Sequence, residues 1–313
     1  MTTLIAAGID VGRDSLDVAI APTGRSFRAP NVAQGIALIV DRLRRAGVVR
    51  VVLESIGSYA QRLVRALADA GFEVGVVDPK RIRALRLAEG RRAKTDRLDA
   101  RLIARFALMM SDAARPVLDA DALKLRALST RRRQLVEMIA MEKTRLKQAL
   151  DIEIVESLKA SLAALAAERA RIDRQLEACA RLKPDGERRR TLLLSAPGVG
   201  PAVAITLIAD LPELGHLNRK AIASLAGLAP HVDESGIRKG HAHIAGGRPC
   251  VRAALYMAAL SAVRCDPLLK ARYQAMRDAG KPAKVALIAV ARFLLTALNT
   301  MLAEARPWTS NPT

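Results

Sequence analysis

Two aspartates stand three residues apart inside the most basic part of the chain, in Lys94-Thr95-Asp96-Arg97-Leu98-Asp99-Ala100. Leu98, Leu102, Ile103 and Phe106 recur at spacings of three and four, which predicts a helix over residues 95 to 109. On such a helix Asp96 and Asp99 share one face, about 5–6 Å apart, a separation that suits a shared metal ion. A pair of this kind also serves simply to place acids at the positive end of a solvated helix. Two further acids shift the balance toward chemistry. Asp10 follows the apolar run from Leu4 to Ile9, and Glu54 follows Arg50-Val51-Val52-Leu53. Each is the acid at the carboxyl end of a buried strand, where open α/β sheets place their sites. Carboxylates gathered in one place repel one another and demand cations. Mg²⁺, or Mn²⁺ in its stead, takes oxygen ligands and acts on phosphates, and two ions about 4 Å apart clamp both oxygens of an in-line displacement.

The elements that must position these acids follow from the local pattern. Leu4 to Ile9 and Leu16 to Ala21 read as a β-hairpin, with Asp17 alternating against the second run. Asn31 is the expected cap of a helix reaching Ala46, and Gly71 stops another that begins near Ser58. Glu73 to Val77 is a further strand, ending at Asp78-Pro79. This alternation implies an α/β sheet with a parallel portion. An RNase H/RuvC-like domain is the architecture that would assemble the acids in this way.

Lys and Arg outnumber Asp and Glu 51 to 31 in the 313 residues, a net charge of +20, and this balance points to a polyanionic partner, nucleic acid first. Hydrophobic content of 51% excludes a largely disordered chain. Aromatic residues are only 3%, so phosphate contacts dominate and base readout must come from elsewhere. The basic run includes Arg91, Arg92, Lys94, Arg97 and Arg101 and is expected to border the bound strand. Cys179, Cys250 and Cys265 form no CxxC pair, so a reducing cytoplasm is the expected setting. The apolar segment from Val285 to Leu302 is interrupted by Arg292 and Asn299 and reads as a buried helix, with no membrane implied.

Residues 119 to 184 read as helical, with a break near Asp151-Ile152. Leu158, Leu162, Leu165, Ile172, Leu176 and Cys179 fall at spacings of four and three, with Arg169 at one core position. A short coiled coil that dimerises and a helix pair within one chain, packed on the sheet domain, both fit. The expected organisation is therefore a catalytic domain over 1–118, a helical or coiled-coil segment over 119–184 and a mainly α C-terminal domain over 185–313. In the last, Pro197-Gly198-Val199-Gly200-Pro201 has the form of a helix-hairpin-helix turn, whose Gly198 and Gly200 would let backbone N–H groups approach a phosphate, although an ordinary Pro-Gly helix connection has the same composition. Further on, Ser235 precedes Gly236 among Arg238, Lys239, Arg248 and Arg252, cations able to hold a phosphate against its hydroxyl, although a Ser-Gly pair in a loop is by itself the composition of a simple turn.

Asp10, Glu54 and the Lys94 to Ala100 segment together resemble the DEDD transposases of insertion-sequence family one hundred and ten, relatives of the Piv/MooV DNA invertases. Pro197-Gly198-Val199-Gly200, Ala226-Gly227-Leu228-Ala229-Pro230, Ser235-Gly236 and the stretch from Gly247 to Leu255 resemble the second region of that family. Many relatives carry a Ser-Lys before the helix arginine where this chain has Ile244-Ala245-Gly246-Gly247-Arg248-Pro249. The resemblance implies a RuvC-like metal site built by Asp10, Glu54, Asp96 and Asp99, with Ser235 as nucleophile of a composite active site. It implies a noncoding bridge RNA that pairs with target and donor DNA, supplying the readout that an aromatic-poor protein lacks. Dimers pairing into a tetrameric synapse are implied as well. The rival readings are a hydrolytic, structure-selective nuclease, a non-catalytic architectural DNA binder, and, from Gly8-Ile9-Asp10-Val11-Gly12, an actin-like sugar kinase.

Overall fold

Alternation with a period of two at the N-terminus produces strands with two different faces, and both faces are covered. The computed structural model describes residues 4–54, 57–90, 96–109, 120–182, 185–231, 234–235, 238–239 and 243–309. The chain divides into two compact units, Met1–Leu118 and Asp119–Thr313.

In the first unit, β1 (Ala6–Val11), β2 (Ser15–Ala21), β3 (Ser26–Pro30), β4 (Arg50–Glu54) and β5 (Glu73–Val77) form one sheet in the order β3-β2-β1-β4-β5. β1–β2 and β2–β3 are antiparallel, while β4 runs parallel to both β1 and β5. This is the mixed sheet with a parallel portion that the strand-helix alternation implies; β3 is an addition. Between β3 and β4 lies α1 (Ala33–Arg45), and between β4 and β5 lies α2 (Gln61–Asp69). Ile9, Val11, Leu16, Val18, Val51 and Leu53 bury one face of the sheet against Ile36, Ile39 and Leu43 of α1 and Leu63 and Leu67 of α2. The opposite face is covered by α4 (Asp96–Met109), which follows α3 (Pro79–Ala88).

One sequence-based expectation fails here. Asn31 does not cap α1; the N-cap position is Val32, which makes no side-chain cap bond. Asn31 Nδ2 instead donates to the carbonyls of Gly12 at 2.9 Å and Tyr59 at 3.3 Å. The side chain is used to tie the end of β1 to the segment after β4, a long-range contact that outweighs a local cap.

The second unit begins with α5 (Ala120–Gln148) and α6 (Ile152–Arg181). Asp151 caps α6, its Oδ1 accepting from Glu153 N and Ile154 N, which is why the chain breaks where the sequence suggests. The two helices pair with each other as a hairpin, and Arg132 clamps Asp173 at 2.6 Å across it. They do not stand apart from the C-terminal region. Leu125, Leu135, Ile172, Leu176 and Ala180 share one core with α7 (Gly186–Leu194), α8 (Pro201–Asp210), α9 (Arg219–Leu225), α10 (Pro249–Cys265), α11 (Pro267–Asp278) and α12 (Ala283–Ala303). Asp210, buried at the end of α8, accepts from Ser129 Oγ at 2.7 Å and from Arg133 at 2.6 Å, pinning α5 to that core. Between α9 and α10 the chain forms two ribbons, β6 (Pro230–His231) with β9 (His243–Ile244), and inside it β7 (Glu234–Ser235) with β8 (Arg238–Lys239).

Among the described residues α12 is the one helix long and apolar enough to cross a membrane. Its Leu294, Leu295 and Leu298 are fully buried in the core of the second unit, and Asn299 binds Gly215 N and Leu217 O at 2.8 Å each. It is the buried helix that Arg292 and Asn299 suggested.

Candidate active site

Register decides where Asp10 and Glu54 end. Ile9 lies beside Leu53 in the parallel pairing of β1 with β4, so the next residues, Asp10 and Glu54, come side by side near the carboxyl ends of adjacent strands. Neighbouring strands are about 4.8 Å apart, within reach of a shared cation for two carboxylates. Alternation also gives them a common face. Ile9 and Leu53 belong to the cluster under α1 and α2, whereas Ala6 and Val52 belong to the cluster under α4. Asp10 and Glu54, both half-buried, continue the α4 side.

α4 runs against β1 in the direction that brings its first turn to those acids. Ala6 clusters with Leu102, Ile103, Phe106 and Ala107, while Gly8, two residues further along β1, adjoins Ala100, Ile103 and Ala104. The carbonyl of Ala107 is held at 3.2 Å by Arg50, the first residue of β4. Two strand residues advance about 6.6 Å and four helical residues about 6 Å, so Asp10 comes level with the start of α4. Asp96 is the first residue of that helix, four before Ala100. Its side chain lies outside the described residues, as do Arg91, Arg92 and Lys94 entirely and the side chain of Arg97.

Asp99 points elsewhere than into an open cluster. Its side chain is 7% exposed, and Oδ1 accepts from Arg86 of α3 at 2.5 Å. Among the described residues no three of His, Cys, Asp and Glu group closely enough to hold an ion. Asp17, cross-strand from Asp10, is a further buried acid that sequence reasoning noted only as an alternating residue. Arg28 of β3 neutralises it at 2.8 Å. The signal for that partnership is weak in sequence, because β3 itself carries little hydrophobic pattern.

The basic run is partly consumed by the fold. Arg81 stacks over Phe106 with 5.0 Å to the ring centroid, Arg86 holds Asp99, and Arg105 pairs with Glu89 at 2.9 Å. These three lock α3 to α4. Lys80, Arg83 and Arg101 remain exposed, and Arg101 reaches Ser26 Oγ at 3.5 Å.

In the second unit Ser235 pairs with Arg238 across the β7–β8 ribbon, so the serine and the cation that follows it share one short hairpin. The side chains of Ser235, Arg238 and Lys239 lie outside the described residues. Arg248 is engaged within the fold: its fork grips Glu213 at 2.6 Å with both terminal nitrogens, and it also donates to Asp210 O at 2.8 Å. Arg252 donates to the carbonyls of Gly246 at 2.8 Å and Gly227 at 3.4 Å, holding the start of α10 to the end of α9. Gly198 has φ of +74° and packs against α10, where a Cβ would lie 2.2 Å from Ala258 O. The close approach that this glycine permits is to a neighbouring helix. Gly200, the N-cap of α8, faces open space.

The geometry defines a paired-carboxylate site at the ends of two parallel strands, in a chain with a second, basic unit. The chain belongs to the IS110 family of transposases. Residues 7–154 match the DEDD group of that family, described as a transposase, and residues 190–274 match the Transposase IS116/IS110/IS902 family. The pilin gene-inverting protein of Moraxella bovis is 25% identical over 311 residues, covering 96% of each chain, and that of Moraxella lacunata is equally similar. An insertion element IS110 protein of Streptomyces coelicolor is 33% identical over 163 residues, 50% of this chain and 38% of that one. A T. thermophilus RuvC chain, solved in complex with Holliday junction substrate, aligns at 17% identity with a TM-score of 0.29, over 36% of this chain and 98% of its own.

Proposed function

We propose that the chain is a bridge-RNA-guided DNA transposase or recombinase that cuts and rejoins strands through a phosphoserine intermediate on Ser235. The observation that carries this reading is the alignment of Asp10 with Glu54 on the sheet face where α4 begins. The strand order β3-β2-β1-β4-β5 supports reading the first unit as RNase H/RuvC-like. Similarity to proteins named as pilin gene inverters supports DNA strand exchange as the reaction.

Asp10, Glu54, Asp96 and Asp99 are the proposed ligands of Mg²⁺ or Mn²⁺. Two carboxylates side by side on neighbouring strands are the hard oxygen donors that such an ion takes, and Asp99, whose Oδ1 is held by Arg86, would have to turn toward that pair to join them. When bound, a divalent ion would stabilise charge developing on the phosphate oxygens. Ser235 Oγ forms a bond to phosphorus as the bond to a deoxyribose oxygen breaks; the reverse attack by a deoxyribose hydroxyl releases the serine and rejoins DNA. Covalent storage conserves the bond energy.

Base pairing by a bridge RNA would supply the readout, because net charge of +20 with 3% aromatic residues favours phosphate contact over base contact. Exposed cations Lys80, Arg83 and Arg101 of the same unit are available for this. A homo-oligomer, a dimer pairing into a tetrameric synapse, is supported by the exposed apolar end of the helical hairpin, where Leu150, Ile152 and Ile154 are 99%, 73% and 54% exposed.

The test is a mixture of metal, guide RNA and labelled DNA with wild-type or Ser235→Ala protein. Adduct formation by the wild type alone is expected; an adduct with the alanine variant refutes the nucleophile. A second reading is hydrolytic cleavage by water, which uses the carboxylates and a cation and needs no serine. Free nicked ends without any adduct would establish it.

A further inference from the structure

The second unit contains a cavity of about 1050 Å³ that none of the sites above uses. Its wall is one stripe of α12, including Ile288, Arg292, Phe293 and Thr296, completed by α9, α11 and the C-terminal segment that folds back to Trp308. That segment is tied down, since Trp308 N donates to Ser195 Oγ at 3.0 Å and Arg306 N to Met301 O at 3.0 Å. The charge on the wall is of one sign. Arg219, Lys220, Arg272, Lys284, Arg292 and Arg306 line it, and among the described residues no Asp or Glu does. Of these cations, Arg306 has a carboxylate partner, Glu304 at 2.6 Å.

The floor is apolar and aromatic in a chain that is otherwise poor in aromatic residues. The only tryptophan and one of four phenylalanines are here. Arg272 stacks its guanidinium on the Phe293 ring at 3.9 Å, giving a planar platform of the kind that bases stack upon. Trp308 Nε1 is buried without a hydrogen-bond acceptor. Clustered cations with no acids between them repel unless a polyanion neutralises them, and a flat hydrophobic floor beneath such a rim fits a nucleobase whose phosphates lie on the rim.

Position selects the strand. Pro230, His243 and Ile244, which form the β6–β9 ribbon, also line the cavity, and the ribbon carrying Ser235 grows from it. Ser235 is four residues beyond His231, so it lies at most about 14 Å from it along the extended chain. We infer that the cavity holds an unpaired nucleotide of the DNA strand that Ser235 attacks, the base against the Arg272–Phe293 stack beside Trp308 and the flanking phosphates on Lys220 and Lys284. This rests on the proposed role of Ser235, but the binding itself is measurable without it.

The 313-residue chain is titrated with a labelled single-stranded DNA of about a dozen nucleotides, with its duplex, and with RNA of the same sequence. Fluorescence anisotropy gives affinity, and emission of Trp308, the sole tryptophan, reports contact with a base. Saturable quenching by the DNA single strand is expected, weaker for duplex and RNA. The Lys220→Ala/Lys284→Ala double variant, both positions exposed, should bind about tenfold more weakly with an unchanged melting temperature. Ser235→Ala should quench as the wild type does. Absence of quenching, unaltered affinity in the double variant, or tighter binding of RNA overturns the assignment. If quenching holds while Ser235→Ala still forms an adduct, the nucleophile is wrong and the cavity stands; the reverse pattern sinks the cavity alone.

Discussion

A methyl group on Gly8 would sit 2.1 Å from the backbone nitrogen of Ala104. The helix that carries Asp96 and Asp99 therefore touches the strand that carries Asp10 backbone to backbone, with Ala100, Ala104, Ala19 and Ala21 completing a seam of small residues. No side chain could yield at that contact. Gly8→Ala must push α4 away, at a cost of about 1–3 kcal/mol or more from overpacking. The expected outcome is a lower melting temperature together with loss of DNA cleavage; a variant that melts and cleaves like the wild type would show that α4 is not seated there.

Asp10→Asn and Glu54→Gln keep shape and remove charge at strand ends that are only half-buried. Both variants should remain folded, as circular dichroism checks. Each should reduce strand cleavage by about a hundredfold or more, the scale of losing a group that organises transition-state charge. Cleavage of labelled DNA should also vanish in EDTA and return with Mg²⁺ or Mn²⁺.

The Arg86–Asp99 pair separates structure from catalysis. Arg86 is 18% exposed and Asp99 7%, so Arg86→Met strands a buried carboxylate and should cost about 3–5 kcal/mol. The double change Arg86→Met/Asp99→Leu removes both charges and should recover most of that stability in urea unfolding. If Asp99 is a ligand, the double variant remains inactive although it is folded. Recovery of cleavage would reduce Asp99 to a helix clamp.

Gly198 and Gly200 make opposite predictions. Gly198→Ala meets Ala258 O at 2.2 Å in a backbone with φ of +74°, and should destabilise the second unit by well over about 1 kcal/mol. Gly200→Ala enters open space and should leave the melting temperature nearly unchanged. A drop in duplex DNA affinity with Gly200→Ala at unaltered stability would support phosphate contact at the start of α8.

Much of the local structure that carries the candidate residues was legible because the relevant signals are local. Continuous apolar runs placed Asp10 and Glu54 at strand ends, spacing of three and four set the helix holding Asp96 and Asp99, and Asp151 announced the break between α5 and α6. Asn31 was misread because the same side chain that caps a helix also reaches Gly12 and Tyr59 across the fold. The middle helices read as a segment of their own, yet their buried positions belong to the core of the second unit, since a helical stripe does not declare what covers it. Arg248 gave no hint of Glu213, which lies far back in the chain.

Taken alone, the order of residues determined the kinds of elements, the acids at their ends, the excess of positive charge and the family motifs. Those depend on repeat distances of a few residues and on composition. Tertiary structure decided which cations are spent within the fold, why position 8 must be glycine, and that a single-sign basic rim encloses Trp308. Such facts follow from contacts between segments distant in sequence, whose free energy depends on geometry that no local pattern encodes.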